Sequence, residues 1–211
     1  MTTTALVRLE LLSAATFGRG DGVAGLVDRE VEHDSNGFPF LRGRTLKGLL
    51  AESAEDLVFA FEQQGVSKWL ACKDRLFGQP GSDLTSHGIM HVSDACLPEN
   101  LRRLFLYEIS RDTLTHEQVF EALASIRRQT AMNPYGVPER GSLRSMRVIL
   151  RGAVFEARLS FDETPTEDDW AVLAGAVLGL RAAGTGRNRG RGRVYATLND
   201  EATTRTYFAK L

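Results

Sequence analysis

Cysteine is scarce in this chain: Cys72 and Cys96 are the only two in 211 residues, too few for a disulfide framework in a protein of this size. Long apolar runs are missing as well. No hydrophobic stretch near the N-terminus reads as a secretion signal, and none approaches the roughly 20 residues needed to cross a bilayer. The expected setting is therefore a reducing cytoplasm, with free thiols and no membrane partner. Net charge is also lacking, since Lys+Arg 26 against Asp+Glu 27 leaves −1. A generally adhesive polycation is thereby excluded. The sequence has no Walker A motif, no dinucleotide fingerprint ahead of a first helix, no recognisable Ser-His-Asp arrangement and no paired-carboxylate metal motif. Repeats and low-complexity tracts are absent too. Cys72, His87, His91 and Cys96 match no zinc-finger spacing, so they read as two buried thiols and two incidental histidines.

Hydrophobic residues make up 43% of the chain, enough for one substantial core. The charge is segregated. From Trp170 to Leu198 there are five arginines and no acidic residue, whereas acids gather at Glu52–Asp56 and Asp162–Asp169. The run Gly184–Arg193 holds four glycines and four arginines between a helical pattern and a strand-like segment. Glycines let backbone N–H groups turn toward a ligand, and arginine forks suit phosphate oxygens. The run suggests a polyanion loop; a solvated basic turn is the plainer alternative.

Periodicity places a strand at 5–13, a glycine-rich turn at 18–25, a polar loop from Asp28 to Gly37 and a helix over 45–64. A short helix over 68–77 and a strand over 88–97 follow. The region 98–147 is mixed: a strand-like piece at Leu104–Ile109, a helix opened by Thr115 with Gln118, and a loop rich in Pro, Gly and Arg. Residues 148–161 read as one strand with a bulge at Gly152, and Thr166 with Asp169 opens a helix over 167–183. A strand at 194–198 closes the pattern. The order β-α-β-β-α-β predicts an α+β, ferredoxin-like (RRM-like) core in a single domain, 1–211, with an insertion between its second and third strands.

Three basic sets carry the functional expectation. Arg42, Arg44 and Lys47 crowd the first turn of the first helix, where the macrodipole favours anions; a phosphate between them, or splaying into solvent, resolves the conflict. Arg187, Arg189 and Arg191 form the second set. The third lies at Arg127, Arg128, Arg140, Arg144, Arg147 and Arg151, interleaved with Thr130, Met132, Tyr135 and Val137. Aromatic and apolar groups beside arginine are what single-stranded nucleic acid binding uses, although Met132 and Val137 could equally pack a hairpin. Catalytic candidates are few: Asp28, His33 and Asp34 in the loop after the first strand.

Together these segments resemble the RAMP superfamily of CRISPR-associated proteins. Phe38–Gly48 (FPFLRGRTLKG) is similar to its PyIPGSSLKG segment, and Arg75–Gly78 with Gly88–Ala95 to its LFG…DA block. Thr130–Gly136 resembles the approach to its thumb hairpin, and Gly184–Val194 its glycine-rich loop. The nearest likeness is the repeated backbone subunit of type III effector complexes. The resemblance implies CRISPR RNA bound by Arg42, Arg44, Lys47, Arg127, Thr130, Arg187, Arg189 and Arg191. It implies a thumb carrying Met132, Tyr135 and Val137, and target single-stranded RNA cleaved at Asp28 with a divalent metal ion, Mg2+ by expectation. Further copies of the chain and other type III subunits are the implied partners. Two features depart from the family: Arg42-Gly43-Arg44-Thr45 replaces Pro-Gly-Ser-Ser, and Thr16 stands near the place of a histidine often found after the first strand. Two alternatives stay open, a guide-binding subunit without cleavage and a guide-precursor endonuclease using His33.

Overall fold

The computed structural model describes residues 3–79, 87–139 and 141–211, which leaves Arg140 outside the described residues. In chain order the elements are β1 (Thr4–Leu11), α1 (Gly43–Glu62), α2 (Lys68–Phe77), β2 (Met90–Val92), α3 (Glu99–Ser110) and α4 (His116–Leu123). Then come β3 (Ala124–Gln129), β4 (Arg144–Ile149), β5 (Val154–Phe161), α5 (Glu167–Gly179), β6 (Val194–Leu198) and α6 (Glu201–Phe208).

Four strands form an antiparallel sheet in the order β2-β5-β1-β6. The first core strand thus lies between the third and the fourth, which is the ferredoxin-like arrangement predicted from element order. Alternation in β1 buries Ala5, Val7, Leu9 and Leu11 on one face. Against the core pack Leu46, Leu50, Ala54 and Val58 of α1, together with nearly every apolar residue of α5. α5 is apolar on most sides because it is enclosed by α1, α2, α6 and the sheet. Thr166 and Asp169 make the capping box that opens it, and Thr115 with Gln118 does the same for α4.

Several predicted elements differ. Leu104–Ile109 belongs to α3, not to a strand: Phe105 and Ile109, four apart, turn toward the core, while Leu104 and Tyr107 face solvent. A short apolar run does not by itself distinguish the two periods. Residues 148–161 are two strands rather than one. Gly152, at φ 86°, makes a turn that ends β4 and starts β5, and the two strands lie in different sheets. The strand at 88–97 shortens to β2, followed by isolated bridges at Ala95 and Cys96. α5 stops at Gly179, four residues early, and α6 had no sequence-based expectation. Between β2 and β5 the chain builds α3, α4 and the β3–β4 hairpin.

Candidate nucleic-acid interface

The glycine–arginine loop is pinned at its base to the segment after β1. Gly192 N donates to Ala14 O at 3.0 Å, Thr185 N to Thr16 O at 2.9 Å and Ala183 N to Gly192 O at 2.8 Å. Gly192 stands at φ 62°, and a Cβ there would lie 1.9 Å from Ala183 O, so only glycine fits. Between these anchors Arg187–Arg189 form one 3-10 turn flanked by Gly186 and Gly190, both left-handed. The turn projects its arginines outward.

Opposite it, Asp28 and Arg29 add to the side of β4. Asp28 N donates to Ser145 O at 2.8 Å, Arg147 N donates to Arg29 O at 2.9 Å, and Ser145 N donates to Asp28 Oδ2 at 2.6 Å. Oδ1 has no hydrogen bond among the described residues. Behind this seam the buried Glu30 carboxylate accepts from Arg147 Nε at 2.8 Å, and Arg147 lies over the Phe120 ring. Cross-strand register sets Arg127 opposite Met146 and Gln129 opposite Arg144. The seam, the hairpin and the loop enclose a cleft of about 520 Å³ whose charged lining is Asp28, Arg29, Arg144, Arg187, Arg189 and Arg191.

The cleft is electrostatically one-sided. Arg191, in contact with the Met146 sulfur, is held below the usual arginine value by burial first and then by Arg127, Arg189 and Arg29. A guanidinium does not deprotonate in a protein, so the crowding persists as a positive field that a bound anion relieves. Asp28 is the lone carboxylate among the lining residues. Among the described residues no group of three or more His, Cys, Asp or Glu could hold a metal ion. One carboxylate amid arginines does not fit a resident divalent ion. The candidate zinc residues do not converge either: His91 Nε2 meets Asp162 Oδ2 at 2.7 Å on the sheet edge, and His87 bridges to Gly78. Cys72 and Cys96 are half-buried, and burial pushes both thiols up.

The first basic set divides. Arg42 makes a two-pronged pair with Glu32, Nε to Oε2 at 3.2 Å and Nη2 to Oε1 at 2.8 Å. Arg44 is exposed. Lys47 Nζ donates to Met90 O at 2.7 Å, and its burial lowers its pKa. The expected phosphate at the start of α1 is replaced by a protein anion: Asp94 Oδ1 accepts from Gly43 N at 2.7 Å. Gly43 does not hold an approach open; a Cβ there would lie 2.2 Å from Val92 O. Arg187 reaches Glu52 of α1 at 2.9 Å. Arg127 lies near enough to Arg191 to act on its charge but is not among the residues lining the cleft, and Thr130 lines an adjoining depression with Arg144 and Arg189. Beyond β3–β4 an Asx turn at Asn133 orders the hairpin tip, leaving Met132 56%, Tyr135 90% and Val137 55% exposed. His33 packs on Phe120 at 4.4 Å, outside the cleft lining. Sequence reasoning missed Arg29, Met146 and the acids Glu30 and Glu32. The first two needed the β4 register, and the buried acids left no signal in a segment without periodicity.

A family model of the RAMP superfamily matches residues 8–195. The chain belongs to that superfamily. Two solved structures have the same fold. One is described as the Type III-B Cmr-beta bound to cognate target RNA; its matching chain is 13% identical, with TM-score 0.65 over 97% of this chain and 98% of that one. The other is the apo state of Type III-B Cmr-beta, 13% identical, with TM-score 0.61 over 94% and 98%. No curated protein matches the chain in sequence. Among the described residues no helix is long and apolar enough to cross a membrane.

Proposed function

We propose that this RAMP protein is a backbone subunit of a type III CRISPR RNA-guided effector complex, binding CRISPR RNA and cleaving complementary single-stranded target RNA. One observation carries the reading: Asp28 lines a single cleft together with Arg144 of the hairpin and Arg187, Arg189 and Arg191 of the glycine–arginine loop. Phosphates on Arg127, Arg187, Arg189 and Arg191 are held by charge without reading sequence. Arg44 and Lys47 extend that surface, and the tip at 130–143 acts as the thumb that wedges against bases. The superfamily membership and the type III-B neighbours support this reading. The same reading places the subunit in an assembly with further copies of the chain and other type III subunits.

In this reading Asp28 Oδ1 takes the hydrogen of a target 2′-hydroxyl. The 2′-oxygen forms a bond to the adjacent phosphorus, the bond to the 5′-oxygen breaks, and a proton from solvent goes to that leaving oxygen. The arginines stabilise the charge that develops on phosphate. A divalent ion is given no step, because the cleft offers one carboxylate.

The bond from Ser145 N to Asp28 Oδ2 supports a second reading, in which Asp28 only fastens the loop and the subunit binds guide RNA without cutting. Asp28→Ala in an assembled, guide-loaded complex separates the two. Loss of target cleavage with guide binding intact supports the first; unchanged cleavage supports the second.

A further inference from the structure

We infer that the slot between the start of α1 and the glycine–arginine loop receives one nucleobase of the bound RNA, stacked on the guanidinium plane of Arg42. The inference rests on the RNA-binding reading of the neighbouring cleft, and it assigns Arg42 a different task from gripping phosphate. The slot holds about 240 Å³, with Phe40, Leu41, Thr45 and Leu49 in its walls and the Glu32–Arg42 pair at its side.

Three observations lead there. The first is a fixed plane. Two hydrogen bonds to Glu32 set the orientation of the Arg42 guanidinium, while its side chain stays 62% exposed against 12% for Glu32. A planar guanidinium held in this way is a stacking surface for a base. The second is charge. Glu32 neutralises Arg42, so Arg42 is a poorer phosphate ligand than Arg191, whose neighbours are other arginines. The third is continuity. Gly184, Thr185 and Arg187 line both the slot and the arginine cleft. A nucleotide with its phosphate in the arginine cleft therefore has its base within reach of the slot. Both Glu32 oxygens are taken by Arg42 and the remaining walls are largely apolar, so the slot accepts a flat ring without discriminating among bases.

The test uses the purified full chain and a short single-stranded RNA, compared with a series of the same RNA lacking one base at a time. Wild type should lose about tenfold in affinity when the base in the slot is removed, the weight of one stacked base. Thr45→Trp, at an exposed position of α1, fills the slot. Arg42→Lys keeps the charge and loses the plane. Both variants should show that loss with intact RNA and lose nothing more with the abasic RNA, at an unchanged slope of log affinity against log salt. Arg191→Ala should reduce the slope and leave the abasic difference in place. Wild type indifferent to every abasic position, or Thr45→Trp binding intact RNA normally, overturns the slot while the cleft stands. A wild-type chain that binds no RNA at moderate salt, alone or with its assembly partners, overturns both.

Discussion

Asp28 and Ser145 exchange two hydrogen bonds: the Asp28 amide donates to the Ser145 carbonyl at 2.8 Å, and the Ser145 amide donates to Asp28 Oδ2 at 2.6 Å. The partners are 117 residues apart, and the exchange holds one carboxylate oxygen against β4 while Asp28 lines the arginine cleft. The loop acid is therefore positioned by the base of the hairpin that carries the exposed tip.

Replacing Asp28 by Asn keeps an oxygen that accepts from Ser145 N and removes the charge. Target cleavage by the assembled complex should fall by at least about 100-fold, the scale of a lost proton acceptor, with guide binding unchanged. Cleavage rates and guide retention, measured on the same preparation, check it. Asn at wild-type rate would sink the requirement for a carboxylate.

Arg191→Ala removes one phosphate contact from the cleft. The slope of log affinity against log salt for single-stranded RNA should become shallower by about 0.7. Titrations at four or five salt concentrations measure it, and an unchanged slope would place Arg191 off the phosphate path.

The Glu30–Arg147 pair is deeply buried, with side chains 3% and 12% exposed. Arg147→Met strands the Glu30 charge and should cost about 3–5 kcal/mol of folding stability. Adding Glu30→Leu should return most of that loss, because two apolar groups need no partner. Chemical denaturation of the single and double variants decides; equal losses in both would show that packing on Phe120, not charge, governs this seam.

Lys47 is buried enough that its pKa lies below the ordinary lysine value of 10.5. Between the lowered value and 10.5 the unfolded chain holds more protons than the folded one, so stability rises with pH through that alkaline window. Lys47→Met should abolish the rise. Denaturation midpoints across alkaline pH test the sign, and a rise that persists in Lys47→Met would assign it elsewhere.

Thr166→Ala breaks the capping box that opens α5 and should cost about 1 kcal/mol. The midpoint of thermal unfolding reads the loss. Thr166→Ser should restore most of the stability, since it keeps the hydroxyl that accepts from Asp169 N.

Elements whose signals are local were legible in the sequence. Partial alternation marked β1, the 3.6-residue period marked α1, and side-chain caps marked the starts of α4 and α5. Element order alone was enough for the ferredoxin-like core. The arginine-rich loop stood out by composition, and superfamily resemblance picked out Asp28. The strand expected at Leu104–Ile109 failed locally, because a short apolar run fits either period, and most of the rest failed where a distant partner decides. The split at Gly152 follows from β4 pairing with β3 rather than with the main sheet. The anion at the start of α1 is Asp94, 51 residues downstream, where local reasoning left room for a phosphate. Arg42 was indistinguishable in sequence from Arg191, yet one faces a carboxylate and the other faces arginines. Sequence determined which groups are cationic and where most of the core strands and helices lie, because propensity and period act between near neighbours. Tertiary structure alone decided which cations are neutralised and which arginines share a cleft with the lone carboxylate. Coulomb interactions and hydrogen bonds depend on distance in space, and the fold sets that distance.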